Sequence, residues 1–154
     1  MSTLKKNRGS SLMELLLVLA LLSLITLAVF PALGRQREER LLISTGETAA
    51  MHMRLAQGHA VATNSTARLV FYQFSGIYYV ELSGQREWVF LPEGVSIVAI
   101  NFPLVYNRRE LSFNPLGVPN QGGHLGLKDE KGNRFYVIIT PVTGRVRVSR
   151  TPPA

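Results

Sequence analysis

The sequence predicts an α+β fold, in which a long N-terminal α-helix, its first half transmembrane, packs on a mostly antiparallel β-sheet. Three observations predict it. Residues 15–33 contain no charged side chain. Small and apolar residues then recur at three- and four-residue steps, which is one stripe of an amphipathic helix. From Ala67 onward, short apolar runs alternate with turn-forming residues.

The 154 residues suit one folded domain plus an N-terminal segment. The formal charge is +7, from 17 basic and 10 acidic side chains. Lys5, Lys6 and Arg8 lie before Gly9; without them 14 basic and 10 acidic side chains remain, a net +4. That excess is mild except near the C-terminus, where Arg145, Arg147 and Arg150 have no acidic residue after Glu130. There is no cysteine, so disulfides, thiolate chemistry and cysteine-based zinc sites are excluded.

The first element is the apolar run LLLVLALLSLITLAVFPAL, Leu15 to Leu33. As a helix it is long enough to cross a bilayer core. A cleaved secretory signal ending at Ala32-Leu33-Gly34 and a plain signal anchor are two readings of it. Neither explains Glu14, a carboxylate at the entrance of the run. On insertion scales such a group is unfavourable by about 2.5–3.5 kcal/mol at the bilayer centre, less near the interface. It needs a partner. Cleavage after Gly9 creates a new α-amine on Ser10 and makes Glu14 the fifth residue of the shortened chain. In a packed bundle, the amine of one copy can then meet the Glu14 of a neighbour. A carboxylate out of register stays buried and unpaired.

The helix continues through a stripe of Leu41, Leu42, Thr45, Ala49, His52, Leu55, Ala56 and His59. Arg37, Glu38, Arg40 and Glu47 fall mostly elsewhere and read as a solvated face. From Ser11 to about Val61 the helix spans roughly 75 Å. Gly46 and Gly58 weaken it locally. Pro31 removes one backbone donor, so a bend is expected there. His52 and His59 share a face, but no third ligand stands at metal spacing and His124 is remote; no metal or cofactor is expected.

The strands expected are Arg68–Phe74, Ile77–Leu82, Glu87–Leu91, Val95–Ile100, Glu110–Phe113, Leu125–Lys128, Arg134–Thr140 and Gly144–Ser149. Ser75-Gly76 reads as a hairpin turn. Pro92-Glu93-Gly94, Asn114-Pro115-Leu116-Gly117 and Asp129-Glu130-Lys131-Gly132-Asn133 separate later strands. Trp88 and the Tyr78-Tyr79 pair read as core or sheet-surface residues. Asn64-Ser65-Thr66 matches a glycosylation sequon. No Gly-rich phosphate loop, Gly-x-Ser-x-Gly elbow or His-Glu-x-x-His motif is present, so no enzyme is expected.

The basic residues before Gly9, Glu14 five positions into the cut chain, the apolar run and Pro31 together resemble the N-terminus of type IV pilin-like proteins. The order of later blocks resembles the GspH/FimT-type minor pilins and pseudopilins: Trp88-Val89-Phe90-Leu91-Pro92-Glu93-Gly94-Val95, Phe113-Asn114-Pro115-Leu116-Gly117 and Gly144-Arg145-Val146-Arg147-Val148. The resemblance implies a leader over 1–9, an assembly and transmembrane half-helix over 10–34, an amphipathic half over 35–62, a β-rich domain over 63–150 and a tail over 151–154. It implies cleavage between Gly9 and Ser10 by a prepilin peptidase, N-methylation of Ser10, and assembly with other pilins through Glu14. Ser10 departs from the Phe usual after the cut. The implied location is the inner membrane, with the globular domain outside the cytoplasm and the subunit carried in a pilus or pseudopilus.

The C-terminal element supports a second reading. In a strand, Arg145 and Arg147 share a face roughly 6.6–6.8 Å apart. That spacing suits successive phosphates. The element is similar to a Gly-Arg-x-Arg feature of FimT-like minor pilins associated with DNA capture, and Arg150 extends the charge. The competing reading is an edge strand protected by charge.

Overall fold

The computed structural model describes the backbone of residues 8–153 and the side chains of residues 12–26 and 37–153. Helix α1 runs Arg8–Thr63. The chain divides into two compact units, Met1–Arg37 and Glu38–Ala154. The second holds the rest of α1 and nine strands: β1 (Ala67–Tyr72), β2 (Ile77–Leu82), β3 (Gln85–Phe90), β4 (Ser96–Ile100), β5 (Leu104–Val105), β6 (Arg108–Phe113), β7 (Gly123–Lys128), β8 (Arg134–Ile139) and β9 (Val146–Ser149).

Two sheets form where the sequence suggested one. The first has strand order β3-β2-β1-β6-β5 and the second β4-β7-β8-β9. Every pairing is antiparallel. Pro92-Glu93-Gly94 carries the chain from one sheet to the other, because β3 and β4 belong to different sheets. Two tight hairpins escape the sequence reading. Ser83 and Gly84 both have positive φ, as do Tyr106 and Asn107. Such a pair matches the twist of the strands it joins. The first lets β3 start at Gln85, and the second creates the two-residue β5.

Helix α1 ends through local chemistry. Asn64 is left-handed at φ 50°, and the Ser65 amide donates to the Ala60 carbonyl at 3.1 Å. This six-to-one closure satisfies a carbonyl that the helix end would leave open. Asn64 of the sequon is therefore the residue that stops the helix.

The core of the second unit lies between one face of this helical segment and the inner faces of both sheets. It joins Leu42, Ala49, Ala50, Met53, Ala56 and Ala60 to Leu69, Phe71, Leu111, Phe113, Leu125, Phe135 and Val137. The buried stripe is rotated from the expected one. Leu41 and Leu55 are exposed, while Met53 is fully buried. Small residues on the helix let the sheets approach, and the sheets supply the bulk. Gly46 shows this directly. Its expected role was to weaken the helix, yet it is buried and a methyl group there would overlap the Phe135 ring. Close packing tolerates no such overlap. Gly58 meets nothing within 4 Å and has no such role.

Candidate assembly segment and arginine element

Within the first unit, the described side chains from Leu12 to Thr26 are all exposed. Leu15, Leu16, Leu17, Val18, Leu19, Leu21, Leu22, Leu24 and Ile25 cover the helix all round. A helix apolar on every side is one that becomes buried in lipid or among other helices. Its two hydroxyls are satisfied internally. Ser23 donates to the Ala20 carbonyl at 2.7 Å, and Thr26 donates to the Ser23 and Leu22 carbonyls at 2.8 and 3.1 Å. Glu14 is exposed at the head of this surface and makes no salt bridge among the described residues.

Among the described residues, no helix is long and apolar enough to cross a membrane. The side chains of residues 27–36, which complete the apolar run and include Pro31, lie outside them. The Gly9–Ser10 bond lies in the first turn of α1. The side chains of Arg8 and Ser10, and all of Lys5 and Lys6, are outside the described residues.

At the C-terminal end, Arg145 precedes β9 and Arg147 lies within it; both are exposed. Arg147 stands opposite Ile138 of β8, and Val146 opposite Ile139. The expected alternation is partial. Val146 is buried, whereas Val148 remains 39% exposed, because β9 is the edge of its sheet. In register, the face that carries Arg147 also carries His124, Lys128 and Arg134. Arg150 differs from its neighbours, since its guanidinium pairs with Glu39 of α1 at 2.9 Å.

Three helix residues anchor this end. Arg54 donates to the Val146 carbonyl at 3.2 Å. Gln57 donates to the carbonyls of Gly117 at 2.9 Å and Thr143 at 3.4 Å. Glu39 holds Arg150. The sequence reading missed Arg54 and Gln57, for which no local pattern exists. Gly144 completes the junction at φ 63°, where a methyl group would collide with the Gln57 amide and crowd the Gly117 carbonyl. The glycine of the Gly-Arg-Val-Arg element is thus demanded by packing.

The histidines go to separate partners. His52 Nδ1 is hydrogen-bonded to the Tyr78 hydroxyl at 2.7 Å, and His59 Nε2 to the Ser83 hydroxyl at 2.8 Å. Burial lowers the His52 pKa below its usual 6.5 against the opposing pull of Glu87, and burial also lowers that of His124. No cluster able to hold a metal occurs among the described residues.

No family model matches the chain. It is 26% identical over 148 residues to the competence protein ComGD of Bacillus subtilis (strain 168), covering 96% of each chain. Its fold matches the type IV minor pilin FimU of Pseudomonas aeruginosa (strain PAO1) with a TM-score of 0.56 at 12% identity, over 73% of this chain and 90% of that one. The architecture is that of type IV pilins. The chain is thus similar in fold to a type IV minor pilin and, along nearly its whole length, similar in sequence to a competence protein.

Proposed function

We propose that this chain is a minor pilin or pseudopilin subunit that helps to initiate or cap a type IV pilus or a type II secretion pseudopilus. In this reading a prepilin peptidase cuts between Gly9 and Ser10, the new amine is methylated, and Glu14 of one subunit meets the Ser10 amine of a neighbour. The subunit waits in the inner membrane with its β-rich domain outside the cytoplasm. Its role is structural rather than catalytic. One observation carries the proposal: Glu14 is an acid at the head of a helix that is apolar on every side and whose hydroxyls are already satisfied. Burial among like helices leaves that carboxylate needing a cation. The test is incorporation of Glu14→Gln and Glu14→Ala variants into sheared pili or pseudopili. Loss of incorporation with normal membrane levels supports the reading; normal incorporation of both variants contradicts it.

A second reading is a pilus-borne DNA receptor that uses Arg145 and Arg147. It is favoured by the exposure of both arginines and by the register that adds Lys128 and Arg134 to the face of Arg147. Cations on one face neutralise phosphates without reading sequence. Arg150 contributes less here because Glu39 already holds it. Gel-shift titration of the full chain in detergent separates the readings. Equal affinity of the wild type and the Arg145→Ala/Arg147→Ala variant at low salt rejects the receptor.

A further inference from the structure

The outer face of the five-stranded sheet carries a surface that filament assembly does not use in the reading above. The inner face holds Leu69, Phe71, Tyr78, Val80, Leu111 and Phe113. Strand alternation therefore turns Tyr72, Tyr79 and Trp88 outward. Tyr79 and Trp88 are direct cross-strand partners. The three rings touch, with centroids 5.0 Å apart for Tyr79–Trp88, 5.9 Å for Tyr72–Trp88 and 6.4 Å for Tyr72–Tyr79. Tyr79 is buried beneath its neighbours and Tyr72 is half-buried, whereas Trp88 is 49% exposed, so its ring is the part of this aromatic surface most open to solvent.

Guanidinium groups stand at both ends of the row. Arg86 lies over the Tyr79 ring at 5.2 Å, and Arg108 lies over the Tyr72 ring at 5.1 Å. Two carboxylates share the face. Glu81 is held by Arg68 and Arg86, each at 2.6 Å. Glu110 is paired in register with Val70, in the same cross-strand row as Tyr79 and Trp88 and two residues from Arg108. Arg86 binds Glu81 through Nε, and its terminal nitrogens make no hydrogen bond among the described residues. Among the described residues, Arg108 makes no salt bridge.

We propose that this face is a stacking surface for single-stranded nucleic acid, with a base on Trp88 and phosphates at Arg86 and Arg108. Aromatic rings on a sheet, interleaved with arginines, accept the π-face of any base while cations follow the backbone. A duplex keeps its bases stacked inside and offers this surface only phosphates. Charge favours this occupant: the face carries three guanidinium groups, Arg68, Arg86 and Arg108, against two carboxylates, Glu81 and Glu110, and the chain as a whole is basic. The surface is separate from Arg145 and Arg147, and the pilin reading does not depend on it.

Trp88 is the only tryptophan in the chain, so its fluorescence reports on this face alone. The experiment titrates the full chain, in detergent micelles, with an oligothymidylate of about 12–16 nucleotides. The proposal expects saturable quenching that weakens as salt is raised, with little quenching by a duplex of equal length. Arg86→Ala/Arg108→Ala should lower the affinity by about tenfold or more. Arg145→Ala/Arg147→Ala should leave the quenching intact, which keeps this surface distinct from the receptor reading. Trp88→Leu, followed by anisotropy of a labelled oligonucleotide, should lose about tenfold. Thermal unfolding of each variant confirms that it is folded. Three results overturn the proposal: absence of quenching, equal quenching by duplex and single strand, or concentration-dependent self-association that alone alters Trp88 fluorescence. The last would assign the face to subunit packing.

Discussion

The side-chain amide of Gln57 donates to the carbonyl of Gly117 at 2.9 Å. Through it, one residue of α1 holds the loop after β6 and reaches the turn before β9. Gly144 fits against the same amide only because it lacks a side chain. Gly144→Ala should therefore lower stability by roughly 2 kcal/mol, combining a left-handed backbone with overpacking. Gln57→Ala should cost about 1 kcal/mol, the usual worth of a hydrogen bond. Urea unfolding of the two variants checks the order.

Gly46 and Gly58 should respond in opposite directions to the same substitution. Gly58→Ala adds a helix-favouring methyl group in open space and should gain up to about 1 kcal/mol. Gly46→Ala forces Phe135 to move and should lose roughly 1–3 kcal/mol. Thermal unfolding midpoints of the pair test whether the helix meets the second sheet at Gly46.

The organisation of the chain was legible because its largest signals are local. A charge-free run, a helical period and turn residues between apolar runs all act over a few positions. What escaped was decided between distant residues. The partition into two sheets depends on which strands meet, and the β3–β4 connection looks like any other turn in sequence. The helix stripe was misjudged because Leu41 and Leu55 outrank alanine in hydrophobicity, while the sheets require Ala49, Ala56 and Gly46 for close approach. At the candidate sites, Glu14 was visible as a chemical anomaly. Arg54 and Gln57 were invisible, because their partners are backbone carbonyls far along the chain.

Glu81 should make stability depend on acid. Hydrogen bonds from Arg86, then Arg68, hold its pKa below the usual 4.5 against the opposing effect of burial. A depressed folded pKa contributes stability that is present above the unfolded value and is lost as pH falls through the folded one. Relative to Glu81→Gln, the wild type should be more stable at neutral pH, with the difference shrinking below about pH 4.5. Urea midpoints measured across that window test the sign.

His52 should act in a higher range. Its folded pKa is lowered by burial, so the folded state favours the neutral ring. That contribution is complete above pH 6.5 and declines as pH falls below it. Tyr78→Phe removes its hydroxyl partner and should cost roughly 1–2 kcal/mol at neutral pH. Unfolding midpoints at neutral and mildly acidic pH, with and without the substitution, check both statements.

In the proposed reading, Glu14 meets the free amine that cleavage after Gly9 leaves on Ser10 of a neighbouring subunit. The most direct measurement is the N-terminal sequence of the membrane-extracted mature protein. The account predicts a start at Ser10. A mature protein that begins at Arg35, or still begins at Met1, contradicts it.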